Sequence, residues 1–155
     1  MLLGLDLGGQ VGWALAGRSC GVFEYGVFCI VPKRGESPGI RYLRLQSALH
    51  AIHRRWPGLR LIAFEAAHHR GGAATAYALG AEAIVQAVAA DLGIEHVSIH
   101  SATLKRFATG KGHASKAEMI AAATAATGWE TLDEHAADAV HAARWASSLL
   151  WPSAA

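Results

Sequence analysis

The chain has 155 residues, 52% of them hydrophobic and 17% charged, with a formal net charge of +2. That balance predicts a single globular domain over residues 1–155 with a real core; it excludes a long disordered tail, and it excludes nucleic-acid binding driven by overall charge, leaving only local clustering. No basic segment precedes an apolar leader, and no apolar run reaches the roughly 20 residues that span a bilayer, so a soluble cytoplasmic protein is expected. Cys20 and Cys29 lack C-x-x-C spacing, which speaks against a zinc ribbon or a disulfide framework and predicts buried free thiols.

Residues 2–15 read as a buried strand carrying one carboxylate, Asp6, followed by a glycine-rich turn into a second strand. Leu2, Leu3, Leu5 and Leu7 suit a strand covered on both faces, where an ionised Asp is costly unless something satisfies it. A metal ion would do so. Hydrogen bonds from the Gly8 and Gly9 amides would do so equally, and Asp6 alone leaves both readings open. Residues 11–16 and 21–31, separated by Gly17-Arg18-Ser19, predict two strands that complete an antiparallel meander. Ser37 and Pro38 then predict an N-cap and a first-turn proline for a helix carrying Ile40, Leu43, Leu45, Leu49 and Ile52, ended by Pro57-Gly58.

Residues 59–65 are a short apolar run with Glu65 at its far end. Parallel strands joined by helices place their C-terminal ends on one edge, so adjacent first and fourth strands would bring Asp6 and Glu65 together. A loop at 66–72 leads to a helix over 73–92, whose alanines and Gly80 leave one face nearly free of bulk, fit for core packing or for a second helix. Residues 94–99 predict a fifth strand. Ser101 is expected to cap a short helix with Leu104, Lys105 and Phe107 ending at Gly110, and Ser115 to open a capping box with Glu118 on a helix ending at Gly128. Asp133 is expected to cap a last helix over 134–150. There His135 and Asp138 stand at i and i+3 on one face among Ala136, Ala137, Ala139, Val140, Ala142 and Ala143, so the helix must pack closely on something. The pair suits a metal, and it suits equally a structural hydrogen bond at a helix N-terminus.

Three strands, helix, strand, helix, strand, helices is the RNase H-like layout. In that order the sequence resembles, over nearly its whole length, the RuvC-type Holliday junction resolvases, bacteriophage members included. Gly4-x-Asp6-x-Gly8 followed by Gly12-Trp13 resembles the family's opening strand and hairpin, and Phe64-Glu65 its fourth-strand Glu. Lys105 and Lys116 flank Gly110-Lys111-Gly112 as lysines flank a G-x-G in the family, and His135-Ala136-Ala137-Asp138 resembles its closing D-x-x-D or H-x-x-D. The resemblance implies an α/β RNase H-like fold, with a five-stranded mixed sheet of three antiparallel then two parallel strands flanked by helices. It implies an endodeoxyribonuclease that resolves Holliday junctions or branched DNA by metal-dependent hydrolysis. Asp6, Glu65, His135 and Asp138 would be catalytic and would hold two Mg²⁺ or Mn²⁺ ions. His68, Lys105, Arg106, Lys111, His113 and Lys116 would bind DNA, and a C2 homodimer would form with the 73–92 helix as its seam.

The sequence departs from the family in four places, one of them a turn to Gly12 that is one residue shorter. Leu7 stands where proline is frequent, and His68 where an aromatic wedge often enters the junction, although an imidazole can still stack on a base. His135 stands where Asp is commoner, which softens the donor set and predicts that Mn²⁺ supports activity at least as well as Mg²⁺. Local charge agrees with DNA binding, since residues 96–117 contain no acid but hold Lys105, Arg106, Lys111 and Lys116. Arg41, Arg44, Arg54, Arg55 and Arg60 form a second acid-free run, expected to be the solvated face of a helix covering the sheet. Trp129, Trp145 and Trp151 are expected to be core or interface anchors. Two rivals remain: a non-cleaving junction-binding protein of the same fold, which metal-dependent nicking would exclude, and an actin-like ATPase fragment, for whose two domains 155 residues are too few.

Overall fold

The computed structural model describes residues 1–18, 21–67, 72–130 and 132–151. The strands are β1 (Leu2–Leu7), β2 (Gln10–Ala16), β3 (Val22–Cys29), β4 (Leu61–Glu65) and β5 (Glu95–Ile99). The helices are α1 (Ile40–Arg55), α2 (Gly72–Leu92), α3 (Ser101–Thr109), α4 (Lys116–Thr127) and α5 (Glu134–Leu150). The strands form one sheet in the order β3-β2-β1-β4-β5. β1, β2 and β3 pair antiparallel, whereas β4 runs parallel to both β1 and β5.

Alternation along the strands sends the large residues mainly to one face, while the other is made of alanine and glycine with Leu2 and Leu61. Leu3, Leu5, Val11, Leu15, Ile62 and Phe64 meet Leu45 and Leu49 of α1 and Val85, Val88 and Ala89 of α2. The opposite face offers Leu2, Ala14, Ala16, Leu61 and Ala63 to α3, α4 and the alanines of α5. Two glycines complete it. A Cβ on Gly4 would stand 2.2 Å from the Ala139 carbonyl oxygen, and one on Gly12 would stand 2.0 Å from that of His135. The α5 backbone therefore lies directly on β1 and β2, and only glycine fits at these two crossings.

Local signals place most boundaries. Ser115 Oγ accepts from the Glu118 amide at 3.3 Å while Glu118 Oε2 accepts from the Ser115 amide at 2.8 Å, and Asp133 Oδ1 accepts from the Ala136 amide at 2.7 Å. Two caps differ from expectation. Gly39, with no side-chain bond, is the N-cap of α1, because the Ser37 hydroxyl is engaged before the helix, accepting from the Gly39 amide at 3.3 Å. His100, not Ser101, caps α3, its Nδ1 accepting from the Ala102 amide at 3.3 Å. Cys29 is free as expected but exposed, because β3 is an edge strand and Cys29 points outward; Cys20 lies outside the described residues.

Trp129 packs on Tyr25 with ring centroids 4.5 Å apart, and Trp145 and Trp151 flank the α3–α5 core, so all three serve the fold. The arginines around α1 are in part ion-paired at the surface, Arg44 with Glu36 at 2.7 Å and Arg55 with Glu24 at 2.9 Å. Among the described residues no helix is long and apolar enough to cross a membrane.

Candidate active site

β1 and β4 are parallel neighbours whose pairing runs as far as Leu5 with Phe64. One residue further on, each strand presents a carboxylate on the α5 side of the sheet, because Asp6 shares the alternation of Gly4 and Glu65 that of Ala63. Asp6 and Glu65 line one cleft with Leu7, Ala66, Ala67, Ala78 and Glu82. Glu65 also lines a second cleft with Ser101, Lys105, Lys116, Glu134 and Asp138. Glu65 is thus shared by the two clefts.

His135, in the first turn of α5, reaches back over Gly12 and donates from Nδ1 to Asp6 Oδ2 at 2.6 Å. Both side chains keep some exposure, 28% and 22%, so the pair is reachable from solvent. Burial raises the pKa of Asp6 above the ordinary carboxylate value; the His135 hydrogen bond and charge oppose this, and repulsion from Glu65 and Glu134 adds to it. Asp138 is pushed up to about 7, first by burial and then by the negative charges of Asp6 and Glu65, with Lys105 pulling the other way. Carboxylates that raise one another's pKa in this way are short of a counter-charge, and their hard oxygens suit Mg²⁺ or Mn²⁺. Among the described residues no three His, Cys, Asp or Glu side chains are grouped tightly enough to form a ready-made metal cage. The oxygen donors are of the kind that suits a divalent cation.

Neither a protein-family model nor a curated protein matches the sequence. Solved structures do match. RuvC of Thermus thermophilus superimposes with a TM-score of 0.73 at 21% identity over 96% of this chain and 95% of that one. T. thermophilus RuvC in complex with a Holliday junction substrate gives 0.76 at 19% identity over 92% and 90%. The yeast mitochondrial Holliday junction resolvase gives 0.54 at 15% identity over 94% and 78%. The chain shares the fold of these RuvC structures.

On that RuvC framework the basic residues divide into three groups. Lys105 lines the Glu65–Asp138 cleft. Lys116 does so too but is ion-paired with Glu134, and Lys111 Nζ lies 2.8 Å from Glu118 Oε1. Both acids come from outside the acid-free stretch, so folding partly neutralises what looks uniformly basic in sequence. Arg106 and His113 are exposed on α3 and in the turn before α4, while His68 lies outside the described residues. Three residues that the sequence reading passed over also belong to this edge. Glu134 holds Lys116, Tyr77 donates to the Gly8 carbonyl, and Glu82 accepts from the Ala67 amide. For Tyr77 and Glu82 the available signal was a tyrosine and a glutamate among the alanines and Gly80 of the first half of α2.

Proposed function

We propose that the chain is a structure-selective endodeoxyribonuclease, one RNase H-like domain over residues 1–155, that resolves Holliday junctions or related branched DNA by divalent-metal-dependent phosphodiester hydrolysis. The observation that carries this reading is that Asp6, Glu65 and Asp138 line two clefts sharing Glu65 at the C-terminal edge of β1 and β4, on a framework shared with junction resolvases. Asp6, Glu65 and Asp138 would hold two Mg²⁺ or Mn²⁺ ions through oxygen. His135 would join them through Nε2, because its Nδ1–H is spent on Asp6 and so fixes the ring. A divalent cation bound there supplies Lewis-acid activation of a water nucleophile and stabilises charge on the leaving 3′ oxygen.

The chain's own groups do the rest. Lys105, beside Asp138, offsets the negative charge that a scissile phosphate brings to the cleft. Lys116, exposed and with two ammonium donors left beyond its bond to Glu134, can meet phosphate, although Glu134 competes for its charge. Arg106, Lys111, His113 and His68 would grip the backbone without reading bases, as structure selectivity requires. A junction offers two symmetric strands, and a C2 homodimer would present two such sites. The outer face of α2, with exposed Ala76, Leu79, Ala83 and Ala87, is the candidate seam.

A second reading, a junction-binding protein that does not cut, is favoured by the lack of a preformed cage among the described residues. One experiment separates the two: wild type and Asp6→Asn are incubated with a labelled four-way junction and a matched duplex in Mn²⁺, Mg²⁺ or EDTA. Paired nicks in the junction alone, dependent on metal and lost in Asp6→Asn while binding survives, support the nuclease. Tight binding with no nick under any metal moves the function to the second reading.

A further inference from the structure

The β1–β4 ladder stops at Leu5 and Phe64, one residue short of the two carboxylates. Beyond that point β1 continues along β2, with Asp6 opposite Gly12, and β4 continues along β5, with Glu65 opposite Ile99. The ladder thus fixes the two strands up to the residues just before Asp6 and Glu65, and the backbone beyond the carboxylates is braced from outside the sheet as well. Helix α2 touches both strand exits. The Tyr77 hydroxyl donates to the Gly8 carbonyl at 2.7 Å, two residues past Asp6. The Glu82 carboxylate accepts from the Ala67 amide, two residues past Glu65. Glu82 and Ala78 also form the α2 wall of the cleft lined by Asp6 and Glu65.

Tyr77 is itself held in place. Arg41 of α1 lies over its ring, 4.7 Å from the centroid, and Tyr42 stacks on it at 6.2 Å. Burial pushes the hydroxyl up to about 12, so it remains a donor at any working pH. One rigid helix thus holds the backbone just beyond both carboxylates, from two side chains five residues apart.

We propose that α2 is the spacer of the site, with Tyr77 and Glu82 as positioning residues that set the distance between the Asp6 and Glu65 carboxylates and hence the affinity for the divalent cation. This rests on the metal-dependent reading above. It adds a role that belongs to neither the ligands nor the DNA-binding residues.

The test compares Tyr77→Phe, Glu82→Ala and Glu82→Gln with wild type. Mn²⁺ uptake by the protein alone is followed by electron paramagnetic resonance of the free ion, alongside the Mn²⁺ dependence of junction nicking and a metal-free melting temperature. Outer-sphere partners of a metal site are worth about 10–100-fold in affinity, so Tyr77→Phe and Glu82→Ala should each need about 10-fold more Mn²⁺ for half-saturation, and excess Mn²⁺ should restore nicking. Glu82→Gln keeps an oxygen to accept from Ala67, so its half-saturation should stay within about twofold of wild type. Unchanged Mn²⁺ half-saturation in Tyr77→Phe and Glu82→Ala, whatever their melting temperatures, overturns the proposal and makes the two bonds merely structural. Glu82→Gln as weak as Glu82→Ala overturns it for Glu82, whose charge would then act on the cation directly. Wild type that takes up no Mn²⁺ overturns the metal reading itself and the spacer with it, an outcome visible before any variant is made.

Discussion

Gly12→Ala tests whether the close approach of α5 to the sheet builds the site. The added methyl would stand 2.0 Å from the His135 carbonyl oxygen, 2.4 Å from its carbon and 3.0 Å from the Ala136 nitrogen. These are backbone atoms at the start of α5, so no rotamer change relieves the clash. Reaching the 3.4 Å of ordinary contact requires the helix to retreat by about 1.4 Å at this crossing. Overpacking of this kind costs about 1–3 kcal/mol, and the retreat would carry His135 and Asp138 away from Asp6 and Glu65. A misplacement of about 1 Å at a reacting centre can cost about 100-fold in rate. Urea denaturation and metal-dependent junction nicking, measured on one preparation, should therefore both suffer, with nicking falling further than the loss of folded protein explains. Gly17→Ala is the control, since its Cβ would meet nothing within 4 Å. A Gly12→Ala protein with wild-type stability and nicking would refute the direct seating of α5 on β2.

In the metal-free protein Asp138 keeps its proton to about 7, against an ordinary 3.8. The folded state therefore binds more protons than the unfolded state in that window, and stability should fall as pH rises from about 4 to about 7, by at most about 4 kcal/mol. Denaturation midpoints across that range should show the slope in wild type and lose most of it in Asp138→Asn; a flat wild-type profile would count against the burial and repulsion at this residue. Lys116→Ala should weaken binding of all DNA sequences alike and lower the steepness of the salt dependence by about one phosphate contact, read from junction affinity at several salt concentrations. An unchanged salt slope would leave Lys116 as a partner of Glu134 alone. Ser115→Ala removes half of a capping box and should cost about 1 kcal/mol in thermal unfolding. No loss there would mean that Glu118 alone secures the start of α4.

Asp6 and Glu65 were legible because each sits at the end of an apolar run, and right-handed crossover connections leave few ways for two such strands to avoid sharing an edge. The Ser115–Glu118 box and the Asp133 cap were legible because capping is a contact within four residues. Gly39 and His100 were not, since which residue adopts the capping conformation depends on the turn before it, and Ser37 and Ser101 offered more familiar hydroxyls. The Lys116–Glu134 and Lys111–Glu118 pairs join residues on either side of a turn or on separate helices, so a window of charge along the chain misses them. Cys29 was misjudged for a related reason. A strand's apolar composition does not reveal that it is the edge of the sheet, and that is a property of strand order.

The alanines of α5 and the glycines of β1 and β2 are usefully read as one feature. Asp and His are short side chains, and a helix packed over leucines and phenylalanines would stand too far off for its first turns to reach a carboxylate rising from the sheet. On the face covered by α1 and α2, Leu3, Leu5, Leu15, Ile62 and Phe64 fill the gap, and burial of large side chains supplies most of the hydrophobic stabilisation. On the α5 face Gly4, Gly12, Ala14 and Ala63 remove that bulk, and His135 Nδ1 reaches Asp6 Oδ2 at 2.6 Å. The sheet therefore has one face filled by large side chains and one kept thin, at whose edge Asp6, Glu65 and Asp138 come together. Crowding these acids raises the pKa of Asp6 and Asp138, a cost that the packing of the other face must offset. Small residues along one face of strands that are otherwise leucine-rich are thus as much a part of the site as the carboxylates they bring within reach.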